Sequence, residues 1–247
     1  MQNSTKYKEA LNNIKDGKYT DPNFPANEMS IYGFGERNDY SLEDLKQLPW
    51  LRPEVFFSDH SEIHLFENIE SDDIEQGGLG DCYFLAAISS IAEYPERLER
   101  LFLIKEYQKN GIYVLAMCLD GLWQDVVMDD LVPCMKYSQK PAFNRNKSGE
   151  MWVILLEKAW AKVHGGYMNI AAGLTREALR DLTGASAETF FTSQNPDLLW
   201  NKLVEANEKK FIMTAGSDDL NDGSDAFIEK IGLAGSHAYS LLEVVQL

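Results

Sequence analysis

The chain has 247 residues, 45% of them hydrophobic, and its 39 acidic and 23 basic side chains give a net charge of −16 at neutral pH. This charge repels phosphate backbones and anionic lipid surfaces, so nucleic acid partners are disfavoured and cations are favoured. No apolar run is long enough for membrane insertion, and the N-terminus lacks a secretory signal. We therefore expect a cytoplasmic, intracellular protein; the sequence does not indicate its oligomeric state.

In chain order, the first predicted unit is an N-terminal extension, residues 1–59, in which prolines and aromatic residues alternate. It is expected to wrap around a core. Apolar residues with helical spacing then predict a helix with one buried stripe from Cys82, with Asp81 as its N-cap, and Pro95 is expected to begin a second helix.

The middle of the chain predicts a hairpin and two helices. The runs 112–119 and 122–128 flank Asp120 and Gly121, a two-residue turn signal. Helices are predicted for 150–163 and for the segment from Thr175, the expected cap, to Gly184, the expected stop.

Beyond Gly184 the sequence predicts a helix near Pro196, a strand at 211–217 and a strand-like tail after His237. The tail ends in an apolar run, which indicates an exposed strand edge at its end and a sequence that has been cut short. These patterns divide the chain into a helical lobe, residues 60–184, and a partial β-rich lobe, residues 185–247.

The position of Cys82 suits a nucleophile. A thiolate rather than a thiol attacks carbonyl carbon, and the positive end of a helix dipole lowers the pKa of a thiol in its first turn. The N–H of Cys82 and the side-chain amide of Gln76, folded back by a glycine-rich turn, are suited to donate to a developing oxyanion. Cys118 and Cys134 do not begin helices and are expected to be packing residues, and three free thiols fit a reducing compartment.

A cysteine nucleophile also needs a base that later protonates the leaving amine. His60 and His64 lie in a polar stretch and His164 ends a helix, so structural or solvated roles are expected for all three. His237 opens a strand, and its spacing from Cys82 is near that between nucleophile and base in papain-like enzymes.

Two segments, QGGLGDCYFLAAISS (76–90) and GSHAYSLLEV (235–244), resemble the cysteine and histidine segments of calpains. Further similar stretches follow in the order of that family from residue 19 onward: YTDPNFPAN (19–27), WLRPEVFF (50–57), VVMDDLVP (126–133), EMWVILLEKAWAKVHGGY (150–167) and AGLTREALRDLTG (172–184). The resemblance implies an α+β, papain-like cysteine proteinase fold with a substrate cleft between a helical lobe and a β-rich lobe.

The resemblance also implies site residues. It places Gln76 in the oxyanion hole, Cys82 as the nucleophile and His237 as general base and acid. It further implies regulatory Ca²⁺, one ion in each lobe, with Asp73 and Glu150 as carboxylate ligands in the first lobe. Backbone carbonyls near Phe66 and Asn68 are expected to complete that site, and hard oxygen donors suit calcium.

The chain departs from the calpain pattern at several positions. The asparagine that orients the histidine, in an Asn-Pro-Trp segment, is absent, because the chain ends shortly after His237. Tyr83 replaces a tryptophan, which keeps an aromatic wall beside the nucleophile. Ser71 replaces an arginine that links the two lobes, which weakens the expected coupling between calcium binding and closure.

A second acidic segment, residues 218–229, partly matches an EF-hand loop, with Leu220 and Asp225 at unsuitable positions. A mobile acidic loop on the rim of the cleft is the preferred interpretation.

The leading hypothesis is a calcium-dependent cysteine endopeptidase that performs limited proteolysis of intracellular protein substrates through an acyl-enzyme on Cys82. Because the asparagine is absent, the alternative is a protease fragment or a catalytically inactive, calpain-like binding or regulatory module. A third hypothesis is an acyl-transferring thiol enzyme on the same fold, since these residues do not fix water as the acceptor.

Overall fold

The computed structural model describes residues 4–33, 45, 47–58, 62–71, 74–146, 149–193, 195–217, 230 and 232–246. In chain order its elements are α1 (Thr5–Asn12), α2 (Glu28–Tyr32), β1 (Trp50–Leu51), α3 (Pro53–Phe56), β2 (Ile74–Glu75), α4 (Cys82–Ala92), α5 (Pro95–Glu99), β3 (Ile112–Leu119), β4 (Leu122–Asp129), β5 (Val132–Pro133), β6 (Arg145–Asn146), α6 (Trp152–Val163), a 3₁₀ helix (Tyr167–Ile170), α7 (Thr175–Thr183), α8 (Pro196–Glu208), β7 (Met213–Gly216) and β8 (Ala238–Leu241). Helices and antiparallel strand pairs are thus mixed, as expected for an α+β protein. Within these ranges, every helix is too short or too polar to cross a bilayer.

The hairpin β3–β4 forms as predicted. Its register runs from Ile112 opposite Asp129 to Leu119 opposite Leu122. Asp120 and Gly121 have φ angles of 52° and 77°, the left-handed conformation that a two-residue turn requires at both central positions. The turn sequence therefore fixes the register of the hairpin.

Two helices form the centre of the core. Helix α6 is buried from Trp152 to Ala161, and Phe84 of α4 stacks on Trp160 of α6 with ring centroids 5.3 Å apart. The prediction of one buried stripe on α4 was wrong, because every residue from Tyr83 to Ala92 is buried. This helix packs against α7 and also against β8, so little of its surface reaches solvent.

The predicted helix ends were partly wrong. Asp81 precedes α4, but its side chain makes no capping hydrogen bond. Thr175 is the first residue of α7 rather than its cap, and Leu174 occupies the cap position. Gly184 does end α7, in the left-handed conformation (φ 70°) that favours glycine.

The C-terminal strands form one antiparallel pair. Met213 of β7 lies opposite Leu241 of β8, and Gly216 lies opposite Ala238. In the described part of the tail the strand ends at Leu241, which is earlier than the apolar run predicts. Val244 instead donates its backbone N–H to the side chain of Asn207 in α8 (3.1 Å).

Buried ion pairs attach the N-terminal segment to this core. Lys158 of α6 forms an ion pair with Asp129 at the end of β4, and both side chains are fully buried. One turn later Lys162 pairs with Asp21, whose backbone N–H donates to Asp129 (2.7 Å). Burial lowers the pKa of Lys162, and the nearby Asp21 carboxylate opposes that shift. Residues around Asp21 are therefore part of the folded core.

Asp129→Ala should lower the free energy of unfolding by about 3–5 kcal/mol, since it leaves the buried Lys158 ammonium without its counter-charge. Urea denaturation measures the change. The matched control is Glu99→Gln, which removes an exposed ion pair with Lys105 and should cost about 0.5 kcal/mol or less. Equal effects of the two substitutions would contradict the assignment of Lys158–Asp129 as a buried pair.

Candidate active site

Cys82 lies in the first turn of α4, as predicted. The helix begins with hydrogen bonds from the N–H groups of Phe84 and Leu85 to the carbonyl of Asp81 (2.8 and 3.2 Å). Cys82 itself is partly exposed, whereas the following helix residues are buried. The thiol is therefore accessible at the positive end of a helix that is fixed in the core.

Gln76 is exposed at the start of the turn that leads to Cys82. Strand β2 precedes it and pairs with β6, with Ile74 opposite Asn146 and Glu75 opposite Arg145. After it, the N–H of Gly77 donates to the side-chain oxygen of Asn144 (3.0 Å). The chain is thus held on both sides of Gln76.

His237 immediately precedes β8, and its imidazole is partly buried. Its ring contacts the ring of Tyr239 edge-on, with centroids 4.9 Å apart. Its backbone N–H donates to the Ser217 hydroxyl (3.1 Å), and its carbonyl accepts from the N–H of Ser217 (2.9 Å). The backbone at His237 is therefore tied to the end of β7.

Strand β8 runs alongside α4 in the direction that brings His237 towards Cys82. Ser89 of α4 meets Ser240 (Oγ to Oγ, 3.4 Å), while Leu241 shares a small cleft with Ser90 and Tyr94 at the C-terminal end of α4. A rise of about 1.5 Å per helical residue and about 3.3 Å per strand residue places Cys82 and His237 at similar distances, roughly 10 Å, from the Ser89 contact.

Among the described residues, no hydrogen bond joins the Cys82 thiol to the imidazole of His237. Such bonds are often long in a site without substrate. Cys82 and His237 therefore lie at the same end of the α4–β8 contact, but no hydrogen bond joins their side chains in the described part of the chain.

A buried cluster of two carboxyl groups and one amide lies behind Cys82. The side chain of Asn144 donates to Asp81 (2.6 Å), and its backbone N–H donates to both oxygens of Glu157 (3.3 Å each). Burial raises the pKa of Asp81 to about 6. Burial, together with the neighbouring Asp81 carboxylate, raises the pKa of Glu157 well above its ordinary value. The raised pKa of Glu157 favours its protonated form.

A proton on Glu157 would give the second carboxyl oxygen of Asp81 a hydrogen-bond donor. This buried atom, Oδ1, has no partner among the permanent donors of the described residues. A neutral Glu157 carboxyl is a donor, and its interaction with Asp81 raises the pKa of Glu157 while it opposes the rise in the pKa of Asp81. Two carboxyl groups this close titrate as a coupled pair, in which a single shared proton is favoured over two negative charges.

The expected calcium ligands are only partly described. Asp73 lies outside the described residues. Glu150 is buried, and the N–H groups of Glu67 and Asn68 donate to its Oε1 while the side chain of Asn146 donates to its Oε2 (3.1 Å). The Glu150 carboxylate provides the oxygen ligands that calcium prefers, but in this structure both of its oxygens accept hydrogen bonds from N–H groups. Within the described residues, no three His, Cys, Asp or Glu side chains form a metal-binding group.

The other histidines and the second acidic segment do not join the site. His60 and residues 218–229 lie outside the described residues. His64 contacts Glu62 (3.5 Å), and His164 Nδ1 lies 2.8 Å from the carbonyl of Trp160. The structure is consistent with the structural roles expected for His64 and His164.

The remaining two cysteines are buried. Burial raises the pKa of Cys134 to about 12, which makes its thiol unreactive. This fits the packing role predicted for Cys118 and Cys134.

Two positions that depart from the calpain pattern have clear structural roles. Tyr83 is buried rather than exposed as a wall, and its hydroxyl accepts a hydrogen bond from the indole N–H of Trp160 (3.0 Å). This bond offsets the cost of burying a hydroxyl group. The carbonyl of Ser71 accepts a hydrogen bond from Ser89 (3.0 Å), the residue that also meets Ser240.

Sequence reasoning missed Asn144 and Glu157. Asn144 stands in a polar stretch and carries no local signal. Glu157 did carry one, because it interrupts the apolar run WVILLEKAWA in a helix that is buried around it. A buried carboxylate in such a position requires a partner.

Gly77→Ala should destabilise the fold by about 1–3 kcal/mol, because a Cβ at this position would lie 2.1 Å from the carbonyl oxygen of Phe143. Gly78→Ala is the matched control, since a Cβ there meets nothing within 4 Å, and it should change stability by about 0.5 kcal/mol or less. Thermal unfolding measures both. A Gly77→Ala protein as stable as Gly78→Ala would show that segment 142–144 does not lie against the turn.

Glu157→Gln should become progressively more stable than the original protein as pH rises. A carboxyl whose folded pKa is raised binds its proton more tightly in the folded state, so its stabilising effect is complete below the unfolded pKa and is lost as pH rises towards the folded pKa. The difference in unfolding free energy should therefore grow above about pH 4.3, by up to about 1.4 kcal/mol per pH unit.

Urea denaturation between pH 4 and pH 8 tests this. A difference that stays constant over that range would show that the Glu157 carboxyl is ionised in the folded protein.

Comparison with known proteins identifies the family of the chain. Residues 19–247 match the domain described as calpain family cysteine protease. The chain is 35% identical over 249 residues to calpain-type cysteine protease DEK1 of Arabidopsis thaliana, covering 96% of this chain and 11% of that protein. It is 34% identical to human calpain-12 and 33% identical to the calpain-2 catalytic subunit of Rattus norvegicus, covering 90% of this chain in each case.

The chain spans 30% of the length of calpain-12 and 32% of that of the calpain-2 subunit. The family match, in contrast, extends over most of the present chain and includes the segments around Gln76, Cys82 and His237. The chain belongs to the calpain family of cysteine proteases.

Proposed function

We propose that this chain is the protease core of a calcium-dependent cysteine endopeptidase that cuts intracellular proteins at a limited number of sites. The observation that supports this most strongly is the position of Cys82, partly exposed at the start of α4, a helix that packs against the strand β8 that directly follows His237. Membership of a cysteine protease family supports the same reaction.

In the proposed reaction, the Cys82 thiolate attacks the scissile carbonyl carbon and forms a tetrahedral oxyanion. The N–H of Cys82 and the side-chain amide of Gln76 donate hydrogen bonds to that oxygen. His237, protonated in the ion pair, gives its proton to the leaving amine as the C–N bond breaks. Neutral His237 then takes a proton from water, whose oxygen attacks the thioester; the C–S bond breaks, the acid is released, and the Cys82 thiolate and protonated His237 are restored.

Calcium dependence is the regulatory part of the proposal. Asp73 and Glu150 would hold the ion through their carboxylates, which suits the strongly acidic composition of the chain. Bound calcium would neutralise the negative charges of Asp73, in the segment that leads to Gln76, and of Glu150, just before α6. The N–H donors of Glu67 and Asn68 would have to turn away from Glu150 to admit it.

A non-catalytic, calpain-like binding module is the second candidate. The edge-on contact of the His237 ring with Tyr239, and the absence of a hydrogen bond from this ring to Cys82 within the described residues, favour it. A module of this kind would bind protein segments in the cleft and leave them intact.

A peptidyl epoxide distinguishes the two candidates. The protease should show labelling of Cys82 in intact-mass measurements in the presence of calcium, with at least about tenfold slower labelling in chelator. Cys82→Ala should abolish the label, and Glu150→Gln should remove the difference between calcium and chelator.

Cleavage of an unfolded protein by the same preparation provides the second measurement. Folded protein that is neither labelled nor cleaves in either condition would contradict the protease and support the binding module. Labelling at equal rates in calcium and chelator would contradict only the calcium dependence.

A further inference from the structure

One amide side chain connects both ends of the turn between Gln76 and Cys82. The oxygen of Asn144 accepts from the N–H of Gly77 (3.0 Å), and its NH₂ group donates to Asp81 (2.6 Å). The orientation of the amide is unambiguous, because a backbone N–H can only donate and Asp81 presents an acceptor oxygen. Asn144 and Asp81 are both fully buried.

The contact to Gly77 acts directly on Gln76. The N–H of Gly77 and the carbonyl of Gln76 belong to one planar peptide unit, so holding the first fixes the second. On the other side of Gln76, Glu75 is paired with Arg145 through the strand register and an ion pair. The backbone is therefore held before Gln76 by the strand pairing of β2 with β6, and after Gln76 by the side chain of Asn144.

The contact between Asn144 and Asp81 acts at the other end of the turn, next to Cys82. The carbonyl of Asp81 accepts the first hydrogen bonds of α4, and Cys82 is the next residue. Asn144 is itself anchored, since Glu157 of α6 accepts from its backbone N–H. The amide therefore connects Gln76 and Cys82 to the central helix.

We propose that Asn144 is a positioning residue for the oxyanion hole: it sets the place of Gln76 relative to Cys82 without touching the substrate. This inference rests on the proposed protease function. It goes beyond that function in assigning a role to a residue outside the nucleophile, the base and the oxyanion donor.

Two reactions of Cys82 separate this role from a general effect on the fold. Acylation by a peptidyl p-nitrophenyl ester passes through a tetrahedral oxyanion, and its burst of p-nitrophenolate needs little help from an acid. Alkylation by iodoacetamide consumes the same thiolate and forms no oxyanion. Asn144→Ala should slow the acylation burst about 10²-fold, the effect of losing one oxyanion donor, and should leave alkylation within about threefold.

The controls use neighbouring residues. Gln76→Ala should slow the burst by the same factor, and the double variant Asn144→Ala/Gln76→Ala should be no slower than Gln76→Ala alone, because both changes remove one interaction. Arg145→Ala breaks the partly exposed ion pair with Glu75 but keeps the strand pairing of β2 with β6, and it should leave the burst within about threefold. An unchanged burst in folded Asn144→Ala, or multiplied effects in the double variant, would overturn the proposal.

Hydrogen exchange of backbone amides tests the contact without relying on chemistry. The Gly77 amide of the original protein should exchange slowly, as expected for a bond to a buried acceptor, and at least about tenfold faster in Asn144→Ala. Rapid exchange of Gly77 in the original protein would overturn the proposal even if Asn144→Ala does not fold. A protected Gly77 amide without any acylation burst would support the contact and contradict the protease function, so the two failures are distinguishable.

Discussion

The pairing of Lys158 with Asp129 inside the protein constrains the rest of the fold. A buried ammonium is tolerated only when an opposite charge and further hydrogen bonds surround it. Lys158 meets these needs through Asp129 and the carbonyl of Leu131 (2.5 Å). Because Lys158 is on α6 and Asp129 ends β4, the pair sets where the hairpin meets the central helix. Asp129 also accepts a hydrogen bond from the backbone N–H of Asp21, which attaches the N-terminal segment to the same pair.

The same helix supports the candidate active site from its other positions. Glu157 accepts from the backbone of Asn144, whose side chain reaches both Gly77 and Asp81. Trp160 stacks on Phe84, which lies two residues after Cys82. Helix α6 thus carries both the buried charges that stabilise the fold and the side chains that contact the groups around Cys82. A change on α6 is expected to alter stability and chemistry together, and only variants that report them separately can distinguish the two effects.

Much of the fold was predictable because it depends on residues that are close in sequence. The β3–β4 hairpin follows from the Asp120–Gly121 turn, and the start of α4 at Cys82 follows from the apolar spacing after a glycine-rich turn. The segments around Gln76, Cys82 and His237 also allowed the family to be recognised. Local reasoning failed where a distant partner competes. Asp81 precedes a helix and would ordinarily cap it, but its side chain turns inward to Asn144, which is 63 residues away. The second partner of Asn144, Gly77, is 67 residues away, so no short motif contains the contact.

Three serine hydroxyl groups take part in the contact between α4 and the C-terminal strands. Ser89 bonds the carbonyl of Ser71 and meets Ser240, and Ser90 donates to the carbonyl of Met213 (2.9 Å). Uncharged hydrogen bonds of this kind are not screened by dissolved ions, unlike an ion pair at a surface. Strand β8, which follows His237, is therefore held to α4 by hydrogen bonds that persist at high ionic strength, although the chain carries a net charge of −16.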